Sequence, residues 1–114
     1  MCTNNFKNYA INIKKMESEK VLKITKSNVK DKKYVALLNT GRKVNFGYSP
    51  MGQFRDSTPL KIFSHKNHGD RKRQIRYLQR HHSGLTTKTE ALADEIRKNH
   101  GKISARWLST NYLW

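Results

Sequence analysis

Three stretches in the first half of the chain cluster β-branched, aromatic and aliphatic residues: Val21 to Ser27 (VLKITKS), Lys33 to Leu38 (KYVALL) and Arg42 to Phe46 (RKVNF). Such runs read as strands. Asn39-Thr40-Gly41 places a glycine where a short hairpin needs a left-handed residue, so the three runs predict a three-stranded antiparallel meander. Lys23, Lys26, Lys32, Lys33, Arg42 and Lys43 are assigned largely to its solvent faces, where charge also guards strand edges against unwanted pairing. Gly47 to Asp56 (GYSPMGQFRD), with two glycines and Pro50, is a loop that Phe54 pins to the core.

The pattern then turns helical. Ser57 or Thr58 can cap a short helix with Pro59 at its first position, where a missing N–H costs nothing, running to about Lys66 and burying Leu60 and Phe63 with Ile62 nearby. Asn67 and Gly69 end it, and Asp70 caps the next helix, Arg71 to His82. On a wheel at about 100° per residue, Ile75 and Leu78 share a face with His82 and Arg71, while Tyr77 lies nearly opposite Ile75 beside Arg73, Arg80 and His81. That seam is narrow for an anchored helix. Either Tyr77 is covered by the strands and the C-terminal segment, or this face meets a partner; because Tyr77 shares its face with Arg73 and Arg80, the expected reading is a docking surface whose partner completes its burial. Thr87-Lys88-Thr89-Glu90 reads as a capping box for a helix from Lys88 to Asn99, with Leu85, Leu92 and Ile96 as its stripe and His100-Gly101 as its stop. A last helix, about Ile103 to Thr110, turns Ile103, Trp107 and Leu108 inward, followed by Tyr112, Leu113 and Trp114. The fold class is therefore α+β: a small meander followed by three to four short helices packed on one face.

Composition sets the scale and the partners. A chain of 114 residues closes one modest core, here assigned to residues 21–114, and residues 1–20 read as a basic arm that orders on a partner. A hydrophobic fraction of 35% is low, and 24 Lys+Arg against 8 Asp+Glu give a formal charge of +16. Such self-repulsion weakens an isolated compact state and favours anionic partners. The single cysteine, Cys2, excludes an intrachain disulfide framework and suits a reducing compartment. No apolar run is long enough to span a bilayer and no secretory leader opens the chain, so synthesis in a cytoplasm is expected.

The densest local signals lie between Ser57 and His82. Arg71, Lys72, Arg73, Arg76 and Arg80, with few balancing acids in the segment, form a candidate surface for phosphate or carboxylate, because arginine presents a planar donor fork to oxyanions. Tyr77 and His81 belong to the same candidate site, as do Arg42 and Lys43 from the meander. Trp107, Tyr112 and Trp114 are candidate docking aromatics, placed either in this core or on a neighbouring chain. Four of the five histidines, His65, His68, His81 and His82, raise a zinc site, but an all-histidine structural site without cysteine is uncommon and no carboxylate completes it. A metal nuclease built on His65, Asn67 and His68 lacks its strand-turn-strand scaffold. The segment ALADEIRKNHGKISARWLS suggests a helix-turn-helix, yet Arg97 stands where a small residue is usual, so a plain helical hairpin is the simpler reading. No nucleophile motif, acid/base pair or phosphate loop appears, so neither an enzyme nor a cofactor is expected.

Read in order, Lys43-Val44-Asn45-Phe46-Gly47, Phe54-Arg55-Asp56, Ser64-His65, then Asp70, Arg73, Tyr77 and Arg80-His81, and finally Trp107 and Leu113-Trp114 resemble a family of small, basic, uncharacterised proteins of large nucleocytoplasmic DNA viruses. The resemblance covers roughly residues 33 to 114 and departs from the family pattern in an apparent insertion, Leu85 to His100. It implies a virion protein without a known enzymatic role. The expected function is a minor capsid-associated structural component that docks on acidic viral capsid proteins; the alternative is a sequence-nonspecific protein that binds and condenses DNA through its phosphate backbone. No small-molecule substrate is expected.

Overall fold

The computed structural model describes residues 19–114, so the expected N-terminal arm lies outside the described residues except for Glu19 and Lys20. Strands β1 (Val21–Lys26), β2 (Lys32–Leu38) and β3 (Lys43–Tyr48) form an antiparallel sheet in the order β1-β2-β3, as the hydrophobic runs predict. In the β2–β3 hairpin the Leu38 amide donates to the Arg42 carbonyl (2.9 Å), and Gly41 takes the positive φ of 91° that the turn requires. Ile24, Tyr34, Ala36, Leu38 and Phe46 are buried on the sheet side covered by the C-terminal segment. Three helices follow: α1 (Arg71–His81), α2 (Lys88–Lys98) and α3 (Ala105–Tyr112).

The last helix packs the sheet. Ser104 caps α3 by accepting from the Trp107 amide (3.0 Å), and Ile103 just before the cap joins Leu108 in the core, as a hydrophobic staple does. Leu113 continues this seam. It approaches Gly47 so closely that a Cβ there would meet Leu113 Cδ1 at 3.0 Å and Lys33 Cβ at 3.1 Å. Gly47 also holds φ at 82°, so β3 runs past Phe46 only because this position is glycine.

Between β3 and α1 the expected helix from Pro59 to Lys66 is absent. Only a single 3₁₀ turn, Ser64–Lys66, forms, Lys61 sits at φ 52°, and Leu60 and Ile62 are 43% and 42% exposed. The cause is Asp56, whose buried carboxylate accepts the Thr58 amide (3.0 Å), the Thr58 hydroxyl (2.6 Å), the Phe63 amide (3.1 Å) and the Tyr34 hydroxyl. Tyr34 in turn accepts the Ile62 amide (2.9 Å). The amides that an opening helical turn would leave free are thus held by side chains, and the segment wraps around Asp56 instead. Burial works to raise the Asp56 pKa, but the donors from Thr58, Tyr34 and Phe63 outweigh it and the carboxyl lies below its ordinary range.

Charge is also built into the interior elsewhere. Lys33, expected on a solvent face, is 2% exposed, and its Nζ donates to the Met51 carbonyl (2.9 Å) and to the buried Gln53 side-chain oxygen. Desolvation first, then the nearby Lys66 charge, pushes its pKa down to about 8. The alternation of β2 points Lys33 away from Tyr34, but the 51–53 loop folds over it. In α2 the buried positions are Ala91 and Glu95, whereas Leu85, Leu92 and Ile96 are only half-buried. Glu95 is drawn inward by the Asn99 amide group (2.9 Å) and the Ser104 hydroxyl (2.9 Å).

Glu19 closes the bottom of the domain. Its carboxylate accepts from the Arg42 guanidinium (2.6 and 2.9 Å), the Thr40 hydroxyl (2.6 Å) and the Ile103 amide (2.8 Å), tying the β2–β3 turn to the start of α3. The Arg42 hydrogen bonds lead, against opposing desolvation, in holding its pKa at about 2. A depressed carboxylate pKa gives stability that is complete above the unfolded value near 4.5 and is lost as pH falls toward the folded value. Urea midpoints measured between pH 5 and pH 2.5 should therefore fall more steeply for the wild-type chain than for Glu19→Gln. In the same assay at pH 7, Asp56→Ala should cost about 3 kcal/mol, because it strips several buried donors of their acceptor.

Candidate anion-binding surface

Helix α1 is held at its start by Asp70, whose carboxylate accepts the Lys72 (3.0 Å) and Arg73 (3.3 Å) amides. Those backbone bonds, Arg73's first, lower the Asp70 pKa. Its C-terminal end closes with His82 donating its amide to the Leu78 carbonyl (2.8 Å) and Ser83 at φ 53°. The helix buries Gln74, Tyr77 and Leu78, with His82 just beyond it wholly enclosed.

Tyr77 is the first correction to the candidate site. It stacks on Trp114 with ring centroids 4.4 Å apart and planes 6° from parallel, and is 8% exposed. The C-terminal segment, not a partner, completes the burial that the α1 seam lacks. Gln74 adds a hydrogen bond from its side-chain amide to the Trp114 carbonyl. His81 leans on the other side of Tyr77 (4.4 Å), and His68 packs against Trp114 (5.3 Å), giving a four-ring pile from His68 to His81. Trp107 and Tyr112 are likewise half-buried against the sheet core, Tyr112 lying 6.0 Å from Phe46. All three candidate docking aromatics are docked within this chain.

Arg42 is the second correction. Its guanidinium is occupied by Glu19 and by the Ile103 carbonyl (2.7 Å), so it serves the fold. Lys43 is exposed on the open side of the sheet with Lys23, Lys26, Val35 and Leu37, in a shallow hollow apart from α1. The histidines also part company. His65 stacks on Phe63, His68 and His81 belong to the ring pile, and His82 Nε2 meets the Thr110 hydroxyl (2.8 Å) with Nδ1 3.8 Å from Glu95. Burial leads in lowering the pKa of His68, His81 and His82.

The remaining candidates do converge. Arg71, Lys72, Arg73, Arg76 and Arg80 are exposed along α1, and none of them forms an ion pair among the described residues, whose carboxylate–cation pairs lie at Glu19 and Asp94, with Glu95 beside the His82 ring. Arg71 is braced by Gln74 (2.6 Å) and by the Phe54 ring, 5.4 Å from its guanidinium carbon. Two hollows flank the helix. One, of about 320 Å³, adds Arg55 and Lys88 to Arg71, with Ser57 and Gln74 in its wall. The other, of about 350 Å³, brings Lys32 from β2 and Arg106 from α3 to Arg80 and His81. Trp114 lines both, and neither is lined by an acidic residue. Arg55, Lys88 and Arg106 are contributions that the sequence did not mark, because nothing in their local pattern links them to α1.

Among the described residues no helix is long and apolar enough to cross a membrane. Comparisons with protein-family models, with curated proteins and with solved structures find no match to this chain.

Since α1 is fastened chiefly through Trp114, Trp114→Ala should lower stability by about 3 kcal/mol in urea unfolding, while Trp114→Phe retains most of it.

Proposed function

We propose that the protein is a non-enzymatic basic component of the particle of a large nucleocytoplasmic DNA virus, a minor capsid-associated protein that docks on acidic partner surfaces. One observation carries this reading: the α1 cations have no acidic partner among the described residues, and Arg55, Lys88, Lys32 and Arg106 extend their field around both flanks. Like charges gathered this densely repel one another, and an acidic partner relieves that repulsion as it binds. The Tyr77–Trp114 stack supports the same reading, because it fixes the surface before the partner arrives and little ordering remains to oppose association. The family resemblance of the sequence supplies the virion setting.

The two cation-lined hollows favour a second reading, sequence-nonspecific binding to DNA. Phosphate accepts the arginine fork as carboxylate does, and such contact is electrostatic and weakens steeply with salt.

Density for the chain in the virion shell is the outcome expected of the first reading, and density confined to the genome interior that of the second. Substituting Arg73, Arg76 and Arg80 together with Ser should abolish incorporation into particles; unchanged incorporation would remove α1 from either role. Fluorescence anisotropy with duplex DNA across a salt series separates the two further. Under the DNA reading, the slope of log affinity against log salt should fall by about 1 for each phosphate-contacting arginine removed.

A further inference from the structure

The hollow of about 350 Å³ at the C-terminal end of α1 differs in kind from the helix face beside it. Its cations come from three separate elements: Lys32 at the start of β2, Arg80 with His81 at the end of α1, and Arg106 in the first turn of α3. A carboxylate offers two coplanar oxygens that one guanidinium satisfies by itself, whereas a phosphate group offers three outward oxygens to donors arriving from different directions. Convergence from three elements therefore suits a phosphate.

The hollow is also larger than a phosphate requires, and much of the rest of its wall is apolar or aromatic, including Phe46, Ala105 and Leu113, beside Ser109 and Lys33, whose Nζ is engaged by Met51 and Gln53. Tyr48 stands directly across the β2–β3 ladder from Lys32 and lines the same space. It is 52% exposed, and, unlike Tyr77, Trp114 and His81, its ring pairs with no other ring among the described residues. An unpaired aromatic ring beside a group of cations is the arrangement that proteins use to hold a nucleotide, with the base stacked and the phosphate gripped. The field inside the hollow agrees. Burial first, then the Arg106 and Arg80 charges, keeps the His81 pKa below its ordinary value.

We propose that this hollow binds a nucleotide, its phosphate held by Arg80, Arg106 and Lys32 and its base stacked on Tyr48. The site goes beyond docking by α1: it shares Arg80, Arg106 and Lys32 with the docking surface and adds Tyr48, which that surface does not use. The nucleotide could be free or the 5′-phosphorylated end of a strand, since the chemistry recognised is the same.

Isothermal titration calorimetry of the full chain at low salt tests it with dAMP, inorganic phosphate, phenyl phosphate and a short single strand carrying or lacking a 5′-phosphate. Saturable 1:1 binding of dAMP is expected, weakened about tenfold by Arg106→Gln through the loss of a charge-assisted contact. Tyr48→Ala should weaken dAMP by about tenfold and leave inorganic phosphate unchanged. Both side chains are exposed, and melting curves will verify that the variants fold; Lys102→Ser serves as the charge-matched control with dAMP affinity retained. Tighter binding of the 5′-phosphorylated strand than of dAMP would identify a strand end as the ligand, and the reverse a free nucleotide. The proposal is overturned if dAMP shows no saturable binding, if Tyr48→Ala leaves dAMP affinity unchanged, or if phenyl phosphate binds as tightly as dAMP.

Discussion

The parallel stack of Trp114 on Tyr77 is the contact on which the candidate surface depends. Helix α1 has too few apolar residues to adhere to the sheet by its own seam, and most of its positions are Arg, Lys, Gln or His. The final aromatic ring of the chain supplies the missing area and joins the small cluster of Tyr77, Leu78 and Ala91 to the sheet core through α3. Large aromatic rings bury much surface per residue, so one such contact does what several aliphatic pairs would otherwise do. That economy leaves the outer face of α1 free to consist almost wholly of cations.

The same shortage of apolar residues explains why the interior holds so much polar chemistry. Gln53, Asp56, Thr58, Lys33, His82, Glu95 and Thr110 are all buried. Buried polar groups cost least when bonded, and around Asp56 the chain joins them: Gln53 receives Lys33 and donates to Asn67 (2.7 Å), Asn67 accepts the Asp56 amide (2.7 Å), and Asp56 holds Tyr34 and Thr58. This network fixes the long segment between β3 and α1 without a helix. It places Asp70, and hence the start of α1, relative to the sheet. Lys33 shows the balance of terms: it makes two hydrogen bonds, yet desolvation still pulls its pKa toward neutrality.

What was legible in the sequence follows from how local each cause is. The three strands, the three helices and the caps at Asp70 and Thr87 depend on period and on residues within one turn, and they stand within a residue or two of their expected bounds. The helix expected after Pro59 failed because Asp56 captures the Thr58 and Phe63 amides once it is buried against Tyr34, which lies 28 residues before Ile62 and takes its amide. Lys33 escaped for the same reason, since alternation assigns a face but cannot announce a loop folding over it. For α1 the wheel identified an insufficient seam, but the expected completion by a partner was wrong, because Trp114 of the same chain reaches Tyr77 only through the tertiary fold. The basic row itself was readable, whereas Arg106, Arg55 and Lys88 join it only through packing.

Electrostatics then links stability to binding. The α1 cations lie close together on a short helix, and their mutual repulsion is a standing cost to the folded state that salt can screen only in part. Aromatic and hydrogen-bonded contacts on the inner face, which do not depend on salt in that way, keep the helix in place despite this cost. An anion bound to the outer face removes repulsion present in the folded chain and largely absent from an expanded one, so it binds the native state preferentially and stabilises it by mass action. The surface thus carries a repulsion that a bound anion would relieve. The low apolar content and the repulsion are two sides of one composition: positions that could have widened the core carry charges instead.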